Sequence, residues 1–287
     1  MFRALVTRQD DAGQISNAVE DVDEANLPEG DVLVAVDWSS LNYKDALCIK
    51  GLANVVRAFP NIAGIDYAGR VVESRDARFH PGQAVILTGW RVGEGHWGGY
   101  AQRARAKGGW LVPLPRKLST RDAMVLGTAG LTAMLAINRL KGEGITPDRG
   151  DVLVTGAAGG VGSLAVMLLS RLGYKVTALT GRRAHADVLS RLGAQTVIER
   201  EALLVPSKKP LETERWAACI DSVGGGILAT ALRQLKYGGV AASIGGAGGV
   251  ERDRYRLPGG QRDAGHMCDQ RPARDRLQQL VGAVHPG

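Results

Sequence analysis

Three glycines spaced three residues apart, Gly156, Gly159 and Gly162, lie between an apolar run at residues 152–155 and an apolar-periodic stretch at residues 161–172. A strand that turns through such glycines into a helix brings bare backbone amides, and the positive end of the helix, close to a bound anion. The pattern predicts a cradle for the pyrophosphate of a dinucleotide. The alternative is a loop that merely turns. The predicted contacts are Gly156, Ala158, Gly159, Gly160, Val161 and Gly162.

The segment about 20 residues after the turn indicates which dinucleotide binds. Sites for NAD place Asp or Glu there to accept hydrogen bonds from the ribose hydroxyls. This sequence has Thr180, Gly181, Arg182 and Arg183 instead. A hydroxyl beside guanidinium groups suits the 2′-phosphate of NADPH, which is therefore the predicted cofactor. The alternative is that Arg182 and Arg183 are solvated cations at a helix start.

The apolar pattern predicts two kinds of domain. From residue 151 to 244 short strands alternate with helical stretches, as is typical of a parallel sheet covered on both faces. Residues 1–118 instead carry short β-rich runs, separated by Pro and Gly, which are more typical of a small barrel. Between these parts the sequence predicts a helix at residues 123–140, capped by residues 119–122. The clearest barrel runs are residues 32–36, 68–72 and 84–87.

Composition excludes several classes of protein. The 287 residues are 45% hydrophobic and 23% charged, with no uninterrupted apolar run near the roughly 18 residues of a membrane helix and no signal-peptide pattern at the N-terminus. A cytoplasmic globular protein is expected. The net charge of +7 is not gathered into one tail or stripe, which favours small anionic ligands over nucleic acid. The scattered Cys48, Cys219 and Cys268 indicate neither a disulfide framework nor a zinc knuckle.

Four further motifs resemble a known family. They are SSLNYKD at residues 39–45, FPNIAGIDYAG at 59–69, LTGW at 87–90 and GHWGG at 95–99. With the order of barrel and dinucleotide domain, they resemble the medium-chain dehydrogenase/reductases, in particular the zinc-free, quinone-oxidoreductase-like branch and its NADPH-dependent acrylyl-CoA reductases. The resemblance covers residues 1 to about 249. It implies an α/β fold with a GroES-like β-barrel domain at 1–118 and a Rossmann doubly wound parallel-sheet domain at 119–249.

The zinc ligands of related enzymes are absent from this sequence. Zinc-dependent relatives have a cysteine near Asn42 and Tyr43, a His-Glu pair where this chain has Ile65 and Asp66, and a four-cysteine lobe after the strand near residue 87. A catalytic zinc needs about three protein ligands of these types. We therefore expect no metal, and reduction of a polarised carbon-carbon double bond rather than alcohol oxidation.

The resemblance implies a reaction and a catalytic residue. Hydride from the nicotinamide of NADPH would reach the β-carbon of a short enoyl-CoA thioester, converting acrylyl-CoA to propionyl-CoA. Tyr43 would contact the nicotinamide and act as proton donor or enolate stabiliser, while Asn42 would fix the local backbone. The alternative for Tyr43 is a buried side chain packing against Leu41. An NADPH-dependent quinone or enone reductase is the alternative activity.

The resemblance also assigns residues to the cofactor's 2′-phosphate. Thr180, Gly181 and Arg182 match the family's phosphate-binding segment, and Arg200 matches a further cofactor-binding arginine. On sequence alone, Arg200 is an exposed loop cation.

Three other side chains have more than one interpretation. Trp90 and Trp97 either wall the acyl pocket or fill the mouth of the barrel. Cys219 lies in a predicted strand at residues 217–220 and is expected in the core rather than as a nucleophile.

The pattern changes after residue 249. Residues 250–287 are rich in Arg, Gly and Pro and lack lysine, whereas the family continues with further strands. We hypothesise an atypical tail, read out of frame, that leaves the C-terminal part of the Rossmann domain incomplete. An inactive truncated copy is therefore a further alternative to the two reductase activities. The family implies a homodimer, and the loss of the edge strands counts against one here.

Overall fold

A computed structural model describes residues 1–204 and 212–247. The chain divides into two compact units, Met1–Ala129 and Gly130–Gly287. This division falls later than the expected boundary at residue 118, and the domain assignment stays a prediction. The atypical tail predicted at residues 250–287, together with Cys268, lies outside the described residues.

The first unit contains two antiparallel sheets. The strands of the larger sheet are β3 (Val32–Trp38), β5 (Asp66–Ser74), β6 (Ala84–Thr88), β7 (Arg103–Ala106) and β8 (Leu111–Pro113). They are arranged in the order β7-β3-β5-β6-β8. Buried side chains such as Val34, Tyr67 and Leu87 form its core. The three barrel runs predicted from sequence lie within β3, β5 and β6, which confirms them.

The smaller sheet of this unit includes the N-terminal strand. It consists of β1 (Phe2–Gln9), β2 (Ile15–Val22) and β4 (Asn61–Ile62), in the order β2-β1-β4. One short helix, α1 (Tyr43–Ile49), follows β3. The sequence pattern did not predict α1, because its two turns are too short to give a helical apolar period.

A long helix, α2 (Thr120–Gly142), follows the barrel strands. Its predicted cap is confirmed, since the Ser119 amide donates to Asp122 Oδ2 and the Asp122 amide donates to Ser119 Oγ, both at 3.1 Å. The helix is interrupted at Gly127, where φ is +48° and ψ is −156°. It is long and apolar enough to cross a membrane, yet core helices pass the same test and 56% of the apolar window is buried within the chain.

The second unit is a parallel sheet with helical crossovers. Its strands are β9 (Asp151–Thr155), β10 (Val176–Thr180), β11 (Thr196–Glu199), β12 (Trp216–Asp221) and β13 (Leu235–Ser243). The helices are α3 (Gly160–Arg171), α4 (Ala186–Arg191) and α5 (Gly225–Arg233). The order β11-β10-β9-β12-β13 reverses direction between β9 and β12, at the switch point where such sheets bind ligands. The predicted Rossmann sheet is confirmed.

One predicted boundary is wrong in this unit. The helix expected at residues 227–235 ends at Arg233, and Leu235 already belongs to β13. Leu235 pairs with Trp216, and the register then shifts before Val240 pairs with Ala218. Gly238, at φ +72°, permits this bulge because glycine adopts the left-handed region without strain.

Candidate functional site

The glycine turn joins β9 to α3. Gly156 leaves the strand with φ +59°, in the left-handed region, and Gly159 is the extended N-cap of the helix. A Cβ on Gly162 would lie 2.7 Å from Ala157 Cα and closer still to the Gly156 carbonyl oxygen. Residue 162 must therefore be glycine, because the first turn of α3 packs directly on the backbone of the loop. Gly156 and Gly162 therefore have the mechanical roles expected from sequence.

The start of α3 leaves amides for an anion. The first helical bond that closes on the N-cap runs from the Ser163 amide to the Gly159 carbonyl, at 2.9 Å. The amides of Gly160, Val161 and Gly162 precede it and have no carbonyl one turn earlier within the helix. They lie at the positive end of the helix dipole, so the turn fits a pyrophosphate. The contacts of these residues with a cofactor stay a prediction.

A buried carboxylate at the end of β12 fixes the turn. Asp221 is fully buried, and its Oδ1 accepts a 2.6 Å hydrogen bond from Thr155 Oγ1 at the end of β9. The next residue, Ser222, donates through Oγ to the Thr155 carbonyl at 2.9 Å. The Gly224 amide donates to Asp221 Oδ2, also at 2.9 Å. Sequence reasoning missed Asp221. The feature that could have indicated it is a single acidic residue at the end of an apolar strand.

Four residues predicted for the 2′-phosphate lie together in the second unit. Thr180 ends β10, is buried, and accepts a 3.1 Å hydrogen bond through Oγ1 from the Arg182 amide. A Cβ on Gly181 would lie 3.1 Å from Arg200 Cδ and 3.5 Å from its Nε. The Arg200 side chain therefore covers Gly181. It does so because β11, which precedes Arg200, pairs in parallel with β10.

Nearby carboxylates engage two of the cations. Arg200 Nε donates to Glu201 Oε1 at 3.0 Å, and the Arg200 side chain is 58% exposed, as sequence alone predicts. Arg183 lies 3.6 Å from Glu199 at the start of a 3-10 turn, so the solvated-cation alternative fits Arg183. Arg182 forms no salt bridge with any carboxylate in residues 1–204 and 212–247. A contact of Arg182 with the 2′-phosphate stays a prediction.

Tyr43 begins helix α1 in the first unit. Tyr43 is 71% exposed, and Leu41 is 89% exposed. The alternative in which Tyr43 is buried against Leu41 is therefore wrong. Asn42 is the N-cap of α1, and its carbonyl accepts a 3.0 Å hydrogen bond from the Asp45 amide, which agrees with the backbone role expected for Asn42.

Asp45 attaches α1 to the neighbouring loop. Its buried carboxylate accepts hydrogen bonds from the Gly64 and Ile65 amides, at 3.0 and 2.9 Å, and from the Asn42 amide at 2.9 Å. The Tyr100 hydroxyl donates to Asp45 Oδ2 at 3.1 Å. Burial raises the Asp45 pKa, and the amide hydrogen bonds oppose the rise. Burial also raises the pKa of Tyr100, so its hydroxyl keeps the proton that it donates. These contacts hold the first turn of α1 in place.

A second buried carboxylate, Asp66, lies where zinc-dependent relatives have the glutamate of their His-Glu pair. It accepts hydrogen bonds from the Ser40 amide and hydroxyl, from the Thr128 amide (2.8 Å) and hydroxyl (2.7 Å), and from Asn42 Nδ2 (3.3 Å). A Cβ on Gly127 would lie 3.0 Å from Asp66 Oδ2. Helix α2 is interrupted there because Asp66 caps the part that begins at Thr128. Sequence reasoning missed this role.

The two tryptophans pack against separate clusters of the first unit. Trp90 stacks on Trp110, with ring centroids 6.0 Å apart, and covers the core of the larger sheet. Trp97 donates through Nε1 to the Pro60 carbonyl at 3.0 Å and packs against the core of the smaller sheet. Both tryptophans therefore pack against a core, which agrees with the interpretation that they fill space in the barrel domain. A role as a wall of the acyl pocket stays a prediction.

Cysteines and metal-ligating side chains offer no further chemistry in the described part of the chain. Cys219 is fully buried in β12, and burial raises its pKa well above the usual value, which confirms its place in the core. Within residues 1–204 and 212–247, no group of three or more His, Cys, Asp or Glu side chains could hold a metal ion.

Comparison with known proteins identifies the family. The alcohol dehydrogenase GroES-like domain family matches residues 28–116, and the zinc-binding dehydrogenase family matches residues 160–261. The acrylyl-CoA reductase AcuI of Ruegeria pomeroyi is 53% identical over 251 residues, 87% of this chain and 76% of that protein. The chain belongs to the medium-chain dehydrogenase/reductase superfamily. Within it, the resemblance to the quinone-oxidoreductase-like branch and its acrylyl-CoA reductases is confirmed.

Two further relatives extend the comparison. The crystal structure of the yhdH oxidoreductase from Salmonella enterica in complex with NADP has a TM-score of 0.83 and 53% identity, covering 86% of this chain and 75% of that chain. The putative quinone oxidoreductase YhfP of Bacillus subtilis is 45% identical over 251 residues, 88% of this chain and 76% of that protein. The GroES-like and Rossmann fold predicted for this dehydrogenase/reductase is confirmed.

Proposed function

We propose that this protein uses NADPH to reduce the carbon-carbon double bond of a short enoyl-CoA thioester, converting acrylyl-CoA to propionyl-CoA. The observation that carries the proposal is its 53% identity to an acrylyl-CoA reductase over 87% of the chain. The relative from Salmonella enterica, whose structure holds NADP, supports the choice of cofactor. The substrate is a small molecule, and the reaction needs no metal.

The chain's own residues would hold the cofactor at two places. The loop from Gly156 to Gly162, including Ala158, Gly159, Gly160 and Val161, would bind the pyrophosphate, with the amides at the start of α3 as donors. Thr180, Gly181, Arg182 and Arg200 would bind the 2′-phosphate, because they supply a hydroxyl, space and guanidinium groups at the end of β10. NADPH supplies the hydride when bound.

Tyr43 would act as the proton donor or stabilise the enolate in this reaction. The hydride adds to the β-carbon, electron density moves onto the thioester oxygen as an enolate, and the α-carbon then takes a proton. An exposed phenol on a helix start anchored through Asp45 can donate a hydrogen bond to that enolate or deliver the proton. Asn42 would position Tyr43 by fixing the start of α1.

We further propose that the two domains bind different molecules. We assign residues 1–118 to the substrate and residues 119–249 to the cofactor. A cytoplasmic location is proposed. Size-exclusion chromatography with light scattering would show whether the chain forms the homodimer that the family implies, against which the predicted loss of the edge strands counts.

The proposal is tested by following NADPH oxidation with acrylyl-CoA and, in parallel, with a simple benzoquinone. We expect a clear preference for acrylyl-CoA. Equal rates, or a preference for the quinone, would favour the alternative quinone reductase, which the 45% identity to YhfP keeps open. NADPH binding without any turnover would favour an inactive copy.

A matched pair of variants tests the role of Tyr43. Tyr43→Phe removes only the hydroxyl, and we expect kcat with acrylyl-CoA to fall on the order of 10²-fold, the usual contribution of a positioned proton donor. Tyr237→Phe is the control, because Tyr237 is 95% exposed on β13 and has no proposed role. Equal activity of the two variants would exclude Tyr43 as the donor.

A further inference from the structure

Three exposed cations and one carboxylate lie on adjoining backbone segments of the first unit, and one of these segments is the helix that begins at Tyr43. Lys44, Arg57, Arg91 and Glu94 form this basic patch, which carries three positive charges and one negative charge. Lys44 Nζ lies 2.9 Å from Glu94 Oε1. The Arg57 amide donates to the Glu94 carbonyl at 3.1 Å, and the Glu94 amide donates to the Arg91 carbonyl at 3.2 Å. The four residues are therefore neighbours in the first unit, and their formal charges sum to +2.

Arg57 and Arg91 supply the two guanidinium groups of the patch. Neither Arg57 nor Arg91 forms a salt bridge with a carboxylate of residues 1–204 and 212–247, and both residues are exposed. Arg57 Cγ lies 3.9 Å from the position of a Cβ on Gly95, and the Gly95 amide donates to the Arg91 carbonyl at 3.0 Å. Gly95 thus adjoins both arginines.

The backbone that carries Arg91 is unusual. Trp90 and Arg91 both have positive φ, +55° and +58°, although neither is glycine. Such residues are uncommon and persist only where the surrounding contacts fix them, and they cluster at ligand-binding sites. Here the stack of Trp90 on Trp110 fixes the first of the two. The neighbouring contacts therefore fix the backbone next to Arg91.

The patch begins one residue from the proposed proton donor, since Lys44 follows Tyr43 in α1. A CoA thioester carries its reacting acyl group at one end of an extended arm and its phosphates at the other. The arm reaches roughly 15 Å, comparable to four or five extended residues. We propose that the basic patch binds the phosphates of the CoA moiety of the substrate. This inference rests on the proposed function, and a quinone, which has no phosphate, would gain nothing from the patch.

The test compares two thioesters that differ only in their phosphates. Acrylyl-CoA and acrylyl-pantetheine present the same reacting group, and kcat/KM is measured for each with saturating NADPH. For the double variant Arg57→Gln/Arg91→Gln, we expect the ratio of the two kcat/KM values to fall about tenfold, because two charge-assisted contacts to phosphate are lost. The effect should appear in KM for acrylyl-CoA and should shrink at high ionic strength. Arg57→Lys/Arg91→Lys should restore most of the ratio, since the charges return.

Arg78→Gln is the matched control for this test. Arg78 is also exposed, but it comes after Ser74, the last residue of β5. Asp66, the first residue of β5, contacts Ser40, which is close to Tyr43 in the sequence. The control should keep the wild-type ratio. An unchanged ratio in the double variant, or a raised KM for NADPH in place of acrylyl-CoA, would overturn the inference. If the wild-type protein turns over neither thioester, the proposed function fails; if it uses both equally well, only the phosphate-binding inference fails.

Discussion

Replacing Gly162 with alanine tests the packing that shapes the glycine turn. The new Cβ would lie 2.7 Å from Ala157 Cα and 2.8 Å from the Gly156 carbonyl carbon, and both are backbone atoms that cannot rotate away. Ordinary carbon contacts need about 3.5 Å, so α3 and the loop must separate by roughly 1 Å. Overpacking of this kind costs about 1–3 kcal/mol. The usual gain of about 0.5–1 kcal/mol for alanine over glycine in a helix offsets only part of it.

The same displacement should weaken cofactor binding. A shift of roughly 1 Å in a positioned group can cost on the order of 10²-fold, so we expect the Kd for NADPH to rise by about that factor. The Kd is measured by fluorescence titration, and the free energy of unfolding by urea denaturation. Gly159→Ala should have an intermediate effect, because its Cβ would lie 3.2 Å from the Gly156 carbonyl oxygen.

Gly142→Ala is the control for this series, because a Cβ at the end of α2 meets no atom within 4 Å. It should leave the Kd unchanged and should not lower stability. The reasoning is refuted if Gly162→Ala binds NADPH as tightly as the wild type and unfolds at the same urea concentration.

Three further predictions concern buried groups of the first unit. Asp66→Ala leaves several buried donors unpaired, so the free energy of unfolding should fall by about 3–5 kcal/mol in urea denaturation; a loss below about 1 kcal/mol would show that the network contributes little. Burial lowers the pKa of His96, whose Nε2–H donates to the Arg105 carbonyl at 2.6 Å. Its contribution to stability is therefore present above the usual histidine pKa of about 6.5 and is lost as the pH falls through the folded value. His96→Gln should reduce the loss of stability on acidification, and an unchanged loss would contradict this reasoning. Burial also raises the pKa of Cys48 to about 11, so peptide mapping should find it unlabelled by iodoacetamide in the folded protein, and rapid labelling would contradict its burial.

Buried elements with strong local patterns were predictable from sequence. The central strands β9, β10 and β12 of the parallel sheet are short, mostly apolar runs because both faces are covered, and such runs are visible without any partner. The glycine turn was predictable for a similar reason, since its requirement for glycine is local: Gly156 needs positive φ, and Gly162 packs on the loop just before it.

Features that depend on distant partners were not predictable in this way. The pattern of α2 is helical across Gly127, and the interruption there results from Asp66, which is remote in sequence. The place of Arg200 over Gly181 depends on the pairing of β10 with β11, so the residues alone indicated only an exposed cation. The family resemblance supplied that assignment.

The central claim is that a bare backbone turn, accompanied by guanidinium groups instead of a carboxylate, binds the phosphorylated dinucleotide. The most direct measurement is the Kd of the wild-type protein for NADPH and for NADH under identical conditions, repeated with Arg182→Gln. We predict that NADPH binds at least about tenfold more tightly and that the variant loses most of this difference. Equal or tighter binding of NADH, or an unchanged preference in the variant, would contradict the account.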